Sequence, residues 1–443
     1  MKPEVGMKIF FKNKSSFHDG SRVKEYGLMG YVVLRKFYAE GHRSIMFLNA
    51  RLYERKVEFP SISYTILGCS YKKMLNSRIC RLLKTSKAIV FIDHNLGGGA
   101  NAYFDIEKER LLREANVLRV RRIPHRCNFQ CELYAGREVH SIDVESYEVL
   151  ERIFASMDAS KFIVSELVSY DALRMLDILK RVKKGRELIF LCHDYHACCP
   201  SFTLMGSAGE YCGADTALQR CRACFRTLRL AQDDWSNRIL LSGAESVESW
   251  RRAFAEFFDC VDKVVAFDSS VAAIFCRYYP HISHKIEVKP HSVPYLRPVR
   301  CGMGKTVVAI LGNISSAAKG SAVLQYLDSR REEWDGLEFI LAGECCAPLK
   351  NIPTLGKYRR EKLPELLEAH RVNCIFIPSV WPETFSYTTA EAMLMGLPLV
   401  CFDLGAPASR VSTYAKGLIL DRTRFEDICS SISAFMDKLK GEV

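Results

Sequence analysis

Residues Pro382–Pro407 read PETFSYTTAEAMLMGLPLVCFDLGAP. Glu383 and Glu391 flank a hydroxyl-rich run, an apolar segment follows, and Gly396-Leu397-Pro398 then leads into the strand-like LVCFD. A helix running through a tight turn into a short apolar strand is the repeating unit of a parallel α/β sheet. The pattern predicts a helix from Thr384 to about Met395 that begins just after the strand CIFIPS (Cys374–Ser379).

The same alternation extends upstream. VVAILGN (Val307–Asn313), FILAG (Phe339–Gly343), CIFIPS and LPLVCFD (Leu397–Asp403) form one strand series. An earlier series starts with AIVFIDH (Ala88–His94) and the glycine loop NLGGGA (Asn95–Ala100). It continues with FIVSE (Phe162–Glu166), ELIFLCHD (Glu187–Asp194) and VVAFD (Val264–Asp268). Between them Leu173, Leu176 and Leu179 recur at helical spacing in Tyr170–Lys184. KPHSVPYLRPVRCGMGK (Lys289–Lys305) carries three prolines and two glycines without periodicity and reads as an interdomain linker. The expected fold class is therefore α/β, with two Rossmann-like domains and a cleft faced by the C-terminal ends of both strand sets. Residues 1–84 are mixed and basic, with a helix expected at Val23–Ala39 and a strand near Ile62–Leu67.

Composition narrows the class. At 443 residues the chain is long enough for two or three cores, and 48% hydrophobic with 26% charged residues is ordinary globular usage. No apolar run reaches the roughly 18 residues of a membrane span, and MKPEVGMKIFFKNKSS lacks the apolar core of a secretory signal. The expected location is cytoplasmic. Eighteen cysteines in that setting point to reduced thiols. The net charge of +12 suits an anionic partner: nucleic acid, acidic lipid or a phosphorylated substrate.

The chemistry concentrates at a few positions. A helix N-terminus facing the cleft is an anion site, and Phe385, Ser386, Tyr387 and Thr388 add hydroxyls and rings there. Eight helical positions span about 12 Å, the scale of a nucleoside diphosphate carrying a sugar. Carboxylates accept bidentately from vicinal hydroxyls, so one acid suits a sugar and the other a ribose. The alternative is a first-turn acid complementing the helix dipole plus a solvated one. After Gly312 and Asn313 a polar loop leads to Lys319-Gly320, where a lysine neutralises a diphosphate and a glycine admits close backbone approach.

With LGN…KG, Pro378-Ser379, the Glu-x7-Glu pair and GLP…DLGAP in place, Val307 to about Leu418 resembles the donor-binding domain of family 4, GT-B-fold glycosyltransferases. The resemblance implies a nucleotide-sugar donor and a retaining transfer with no obligatory divalent metal. It implies that Glu383 contacts the transferred sugar, Glu391 holds the ribose and Lys319 binds phosphate. Asn313 departs from the arginine common at that position, which shifts diphosphate binding toward Lys319 and the helix amides. The loop with Gly97, Gly98 and Gly99 resembles the family's glycine-rich first loop, and His193 the histidine beside the reacting sugar. On this basis residues 85–295 are expected to bind the acceptor and residues 304–443 the donor.

Cys199, Cys212, Cys221 and Cys224 lie in a polar insertion (residues 196–226), spaced C-x12-C-x8-C-x2-C. Four thiolates at such spacing suit a structural zinc ion, with Cys198 or Cys192 as substitutes for Cys199; four unliganded thiols are the other reading. LCHDYHACCPS followed by this segment resembles some bacterial surface-polysaccharide glycosyltransferases. Arg110–Arg126 is basic and amphipathic, which suits peripheral docking on an anionic bilayer and a glycan or lipid-linked acceptor, or else a solvated face. Two other functions compete: a nucleotide-sugar epimerase of the same fold, and a basic nucleic-acid-binding protein. The second lacks aromatic-basic interleaving and a helix-turn-helix pattern.

Overall fold

Ala88–His94 is buried along its whole length, as befits a strand covered on both faces of a parallel sheet. In the computed structural model it is β2 of a nine-stranded sheet. The structure describes residues 61–65, 83–95, 97–122, 129–207, 209–230, 244–300, 304–334 and 336–441. Contacts divide the chain into Met1–Glu58 and Phe59–Val443, and the described residues fall in the second unit. The helix expected at Val23–Ala39 lies outside them.

The first sheet contains β1 (Ser61–Thr65), β2, β3 (Asn116–Arg122), β4 (Phe129–Ala135), β5 (Glu138–Val144), β6 (Ala159–Val164), β7 (Glu187–Leu191), β8 (Lys263–Ala266) and β9 (Ile286–Val288). Their spatial order is β1-β5-β4-β3-β2-β6-β7-β8-β9. The run from β3 to β9 is parallel. β4 pairs antiparallel with both β3 and β5, so a hairpin interrupts the strand–helix alternation expected after Lys87. β1, the described part of the strand expected near Ile62–Leu67, adds parallel to β5 at the edge.

The second sheet is parallel throughout, in the order β11-β10-β12-β13-β14. Its members are β10 (Thr306–Ile314), β11 (Leu337–Cys345), β12 (Cys374–Ile377), β13 (Leu399–Phe402) and β14 (Gly417–Leu420). Val308, Ile310, Phe339 and Phe376 pack one face of this sheet; Ala309, Ile375 and Leu399 pack the other. Two parallel-sheet α/β domains are thus present, as expected. The linker has no regular element over residues 289–300. It is nevertheless tied to the second domain, because Arg297 pairs with Glu368 at 2.7 Å and Val299 N–H donates to the Met395 carbonyl.

Helix ends carry local signals. Asp171 caps Ala172–Lys183 by accepting from the Arg174 amide, and Ser246 with Ser249 forms a reciprocal capping box on Val247–Cys260. Each such cap is worth about 1 kcal/mol. The helix that begins at Tyr387 has no side-chain cap, and neither has the helix Ser321–Ser329 that follows Lys319-Gly320.

Candidate active site

The helix after β12 runs from Tyr387 to Leu394, starting three residues later than the sequence pattern predicts. Ser386 is the reason: its φ of 64° lies in the left-handed region that L-residues other than glycine rarely adopt. Glu383 therefore precedes the helix while Glu391 sits within it, so the two acids are not separated by eight helical positions. Both carboxylates are buried, at 6% and 5% exposure. No side chain caps the first turn, which leaves its amides open to a ligand.

Each acid has its own cation. Lys319 Nζ donates to Glu383 Oε1 at 2.8 Å, and the Ser379 hydroxyl donates to the same oxygen. Arg360 Nε donates to Glu391 Oε1 at 2.6 Å while its Nη2 donates to the Pro294 carbonyl at 2.6 Å. Burial raises the Glu383 carboxyl, but Lys319, Ser379 and Ser386 outweigh it and hold the group below the usual carboxylate range. Burial raises Glu391 as well, and Arg360 offsets this only in part, so its pKa lies above that range.

Lys319-Gly320 opens the helix Ser321–Ser329. Gly320 has φ of 92°, and a Cβ there would lie 2.2 Å from the Pro378 carbonyl oxygen. That close approach brings the lysine next to the β12 end and to Glu383; its ammonium also lies 5.4 Å from the Trp381 ring. Gly312 ends against Thr388, whose Cγ2 would be 3.6 Å from an added Cβ. Asn313 is exposed at the end of β10.

The first domain meets this segment directly. Thr384 Oγ1 donates to the His193 carbonyl at 2.7 Å, and Gly99 approaches the Tyr387 ring closely enough that a Cβ would be 3.6 Å from it. Gly97 and Gly98 have positive φ and open space around them. The glycine loop is anchored by Asn101, which donates to Asp93 Oδ2 at 2.9 Å and to the His94 carbonyl at 3.0 Å. The His193 ring is buried beside Phe267 (4.5 Å) and Tyr103 (5.0 Å). Burial, with His291 next in weight, pushes its pKa well below the usual histidine value. Asp194 is buried too, and its pKa rises to about 7 because burial outweighs the His196 amide donating to Oδ1.

Sequence reasoning did not single out Ser379, Arg360, His291 or Arg410. Ser379 belongs to the Pro378-Ser379 motif, but its residue type alone does not announce the bond its hydroxyl donates to Glu383. His291 and Arg410 carried no signal beyond residue type.

The cysteine cluster and the basic stretch from Arg110 each have a defined setting in the fold. Cys199, Cys212, Cys221 and Cys224 do line one cavity of about 260 Å³. Yet among the described residues no three His, Cys, Asp or Glu side chains converge to hold a metal ion. Three of the sulfurs have side-chain partners: Arg251 donates to Cys221 at 3.0 Å, Cys199 meets Ser201 at 3.4 Å and Cys224 meets Ser207 at 3.9 Å. The described cysteines are free thiols. The basic stretch from Arg110 is not one amphipathic element either. It crosses from the helix Gly99–Glu114 into β3, where buried Arg119 pairs with Asp93 at 2.6 Å and Arg121 with Glu132 at 2.9 Å. Residues 123–126 lie outside the described residues. Among the described residues no helix is long and apolar enough to cross a membrane.

Residues 346–440 match the family described as "Glycosyl transferases group 1". Sucrose-phosphate synthase from Thermosynechococcus elongatus has the same fold, with a TM-score of 0.52 and 13% identity over 79% of this chain and 90% of that one. The chain is a glycosyltransferase of the GT-B fold. HepE from Anabaena, solved in complex with UDP-glucose, aligns at 14% identity and a TM-score of 0.49 over 80% of this chain and 91% of its own. No curated protein sequence matches. In this glycosyltransferase the family match contains Arg360, Glu383, Glu391 and Arg410. Lys319 and the first-domain residues are joined to them by the fold.

Proposed function

We propose that this glycosyltransferase moves a sugar, with retention, from a nucleotide-sugar donor to a glycan or lipid-linked acceptor in surface-polysaccharide synthesis. The observation that carries the reading is the pair of buried acids, each held by its own cation, on either side of an uncapped helix N-terminus. A diphosphate on the open amides would gain hydrogen bonds and the favourable end of the helix dipole. Lys319 would meet it, Glu391 would accept from ribose hydroxyls, and Glu383 would orient the transferred sugar.

In the reaction the bond from the sugar's anomeric carbon to the phosphate oxygen breaks. A bond from that carbon to the acceptor hydroxyl forms on the same face, and the departing phosphate takes the hydroxyl proton. Charge builds on the leaving diphosphate, where Lys319 and the amides are placed to stabilise it. His193, neutral near pH 7, would bind a sugar hydroxyl without placing a competing charge in the cleft.

The polysaccharide assignment rests on the likeness of LCHDYHACCPS and the cysteine-rich segment to enzymes of that kind. A charge of +12 suits work beside an anionic surface at the inner face of a membrane. Thermal-shift measurements against UDP-, GDP-, ADP- and dTDP-sugars test the reading, since a ligand of the folded state raises its melting point. One donor class should stabilise the protein and support transfer to an added acceptor. Stabilisation by none would overturn the proposal.

A further inference from the structure

His291 stands on the linker, three residues beyond β9, and its ring is enclosed from both domains. Phe267 (4.0 Å), Tyr103 (4.7 Å) and His193 (5.2 Å) surround it from the first. From the second, Phe385 stacks on it at 4.1 Å with an interplanar angle of 27°, and Tyr387 lies at 5.2 Å. The Arg410 guanidinium also lies against Phe385, 3.8 Å from the ring centre.

This cluster is polar as well as aromatic. Neither ring nitrogen of His291 has a hydrogen-bond partner among the described residues, and the same holds for His193 Nε2, the Tyr387 hydroxyl and one terminal nitrogen of Arg410. Buried polar atoms are almost always partnered, and leaving one unpaired is costly. So many unpaired atoms between two domains mark a place where a ligand supplies the missing partners. Phe385 and Tyr387 tie the place to Glu383 and to the helix N-terminus.

The imidazoles also define the ligand. Burial, with Arg410 nearby, brings the His291 pKa down to about 3, and His193 is lowered too. A neutral imidazole offers one N–H donor and one lone-pair acceptor. A hydroxyl, itself donor and acceptor, matches both.

We propose that His291 is a sugar-binding residue, and that with His193 it holds hydroxyl groups of a pyranose lying between the two domains. This assignment rests on the nucleotide-sugar reading. It adds that the linker itself contributes to substrate recognition. The pyranose is either the one transferred or the one that accepts.

The test uses the full chain with His291→Asn and His291→Phe, each measured for stabilisation by nucleoside diphosphate and for transfer kinetics. Both variants should keep the diphosphate-induced shift in melting temperature. His291→Phe should lose about tenfold to hundredfold in kcat/KM, the effect of one or two neutral hydrogen bonds. His291→Asn, which retains a donor and an acceptor, should recover much of the loss. If donor hydrolysis without acceptor falls in parallel, His291 reads the transferred sugar; if only acceptor KM rises, it reads the acceptor. A normal diphosphate shift with a fully active His291→Phe overturns the proposal alone. The absence of any diphosphate shift in the parent overturns the nucleotide-sugar reading and this proposal with it. Should His291→Phe fail to fold, His291→Leu compared with His291→Asn decides in the same way.

Discussion

Arg360 Nε lies 2.6 Å from Glu391 Oε1, and the same guanidinium donates to the Pro294 carbonyl. One arginine thus links the buried acid of the helix to the linker between the domains. Its removal would strand a carboxylate that burial already pushes upward. Arg360→Ala is expected to destabilise the protein by about 1–3 kcal/mol, and Glu391→Gln by less, because the amide is neutral. Denaturant midpoints of the two variants and of the double variant measure this. A double variant more stable than Arg360→Ala alone identifies the unpaired acid as the cause.

Gly320→Ala should be among the most damaging single-methyl changes. Its Cβ would lie 2.2 Å from the Pro378 carbonyl oxygen, and φ of 92° is unfavourable for alanine. Relieving the clash moves the Lys319 turn away from the β12 end. The expected outcome is a lower melting temperature together with loss of stabilisation by nucleotide sugar. The exposed Gly304→Ala, with φ of 105° but open space, should cost only the backbone strain, about 1–2 kcal/mol, and leave ligand stabilisation intact.

Asp194 gives a pH signature. Its pKa rises from 3.8 to about 7 on folding because the carboxyl is buried. The native state therefore binds a proton more tightly than the unfolded chain, and this residue's contribution to stability falls as pH rises from about 4 to 7. Asp194→Asn keeps an acceptor for the His196 amide and removes the ionisation. The variant should gain on the order of 1–3 kcal/mol over the parent above pH 7, with no gain near pH 4. Urea titrations across that range check it, and equal gains at both ends would exclude ionisation as the cause.

Much of this architecture was legible in the residues, for particular physical reasons. Ala88–His94 stands out because a strand buried on both faces must be apolar throughout. The parallel strands of the second domain stand out likewise, and the KG turn meets the first acid of the pair, Lys319 donating to Glu383. The β4–β5 hairpin was missed because its period-two alternation is short and sits among strand–helix units. The late helix start was hidden because Ser386 adopts a backbone conformation that its residue type does not announce. Arg360 lies 31 positions from Glu391, and His291 gains its meaning only from rings brought by both domains. The cysteine spacing placed Cys199, Cys212, Cys221 and Cys224 in one segment, and the fold brings all four to the lining of one cavity.

Thr384 offers a test of how the two domains are coupled. Its hydroxyl donates to the His193 carbonyl at 2.7 Å, both residues being buried. Thr384→Val, similar in shape, leaves that carbonyl without this donor and should cost about 1 kcal/mol of stability. If the bond also positions His193, KM for the sugar substrate should rise with little change in stabilisation by nucleoside diphosphate. Unchanged kinetics would confine the bond to a structural role.

Calorimetric titration of nucleotide sugar and free nucleoside diphosphate into the parent, Glu391→Gln, Glu383→Gln and Lys319→Met tests the central claim most directly. Glu391→Gln and Lys319→Met should weaken both ligands by about tenfold or more, the effect of losing a charge-assisted contact. Glu383→Gln should bind nucleoside diphosphate nearly as the parent does but no longer transfer sugar. Parental affinity in all three variants, with transfer intact in Glu383→Gln, would contradict that claim.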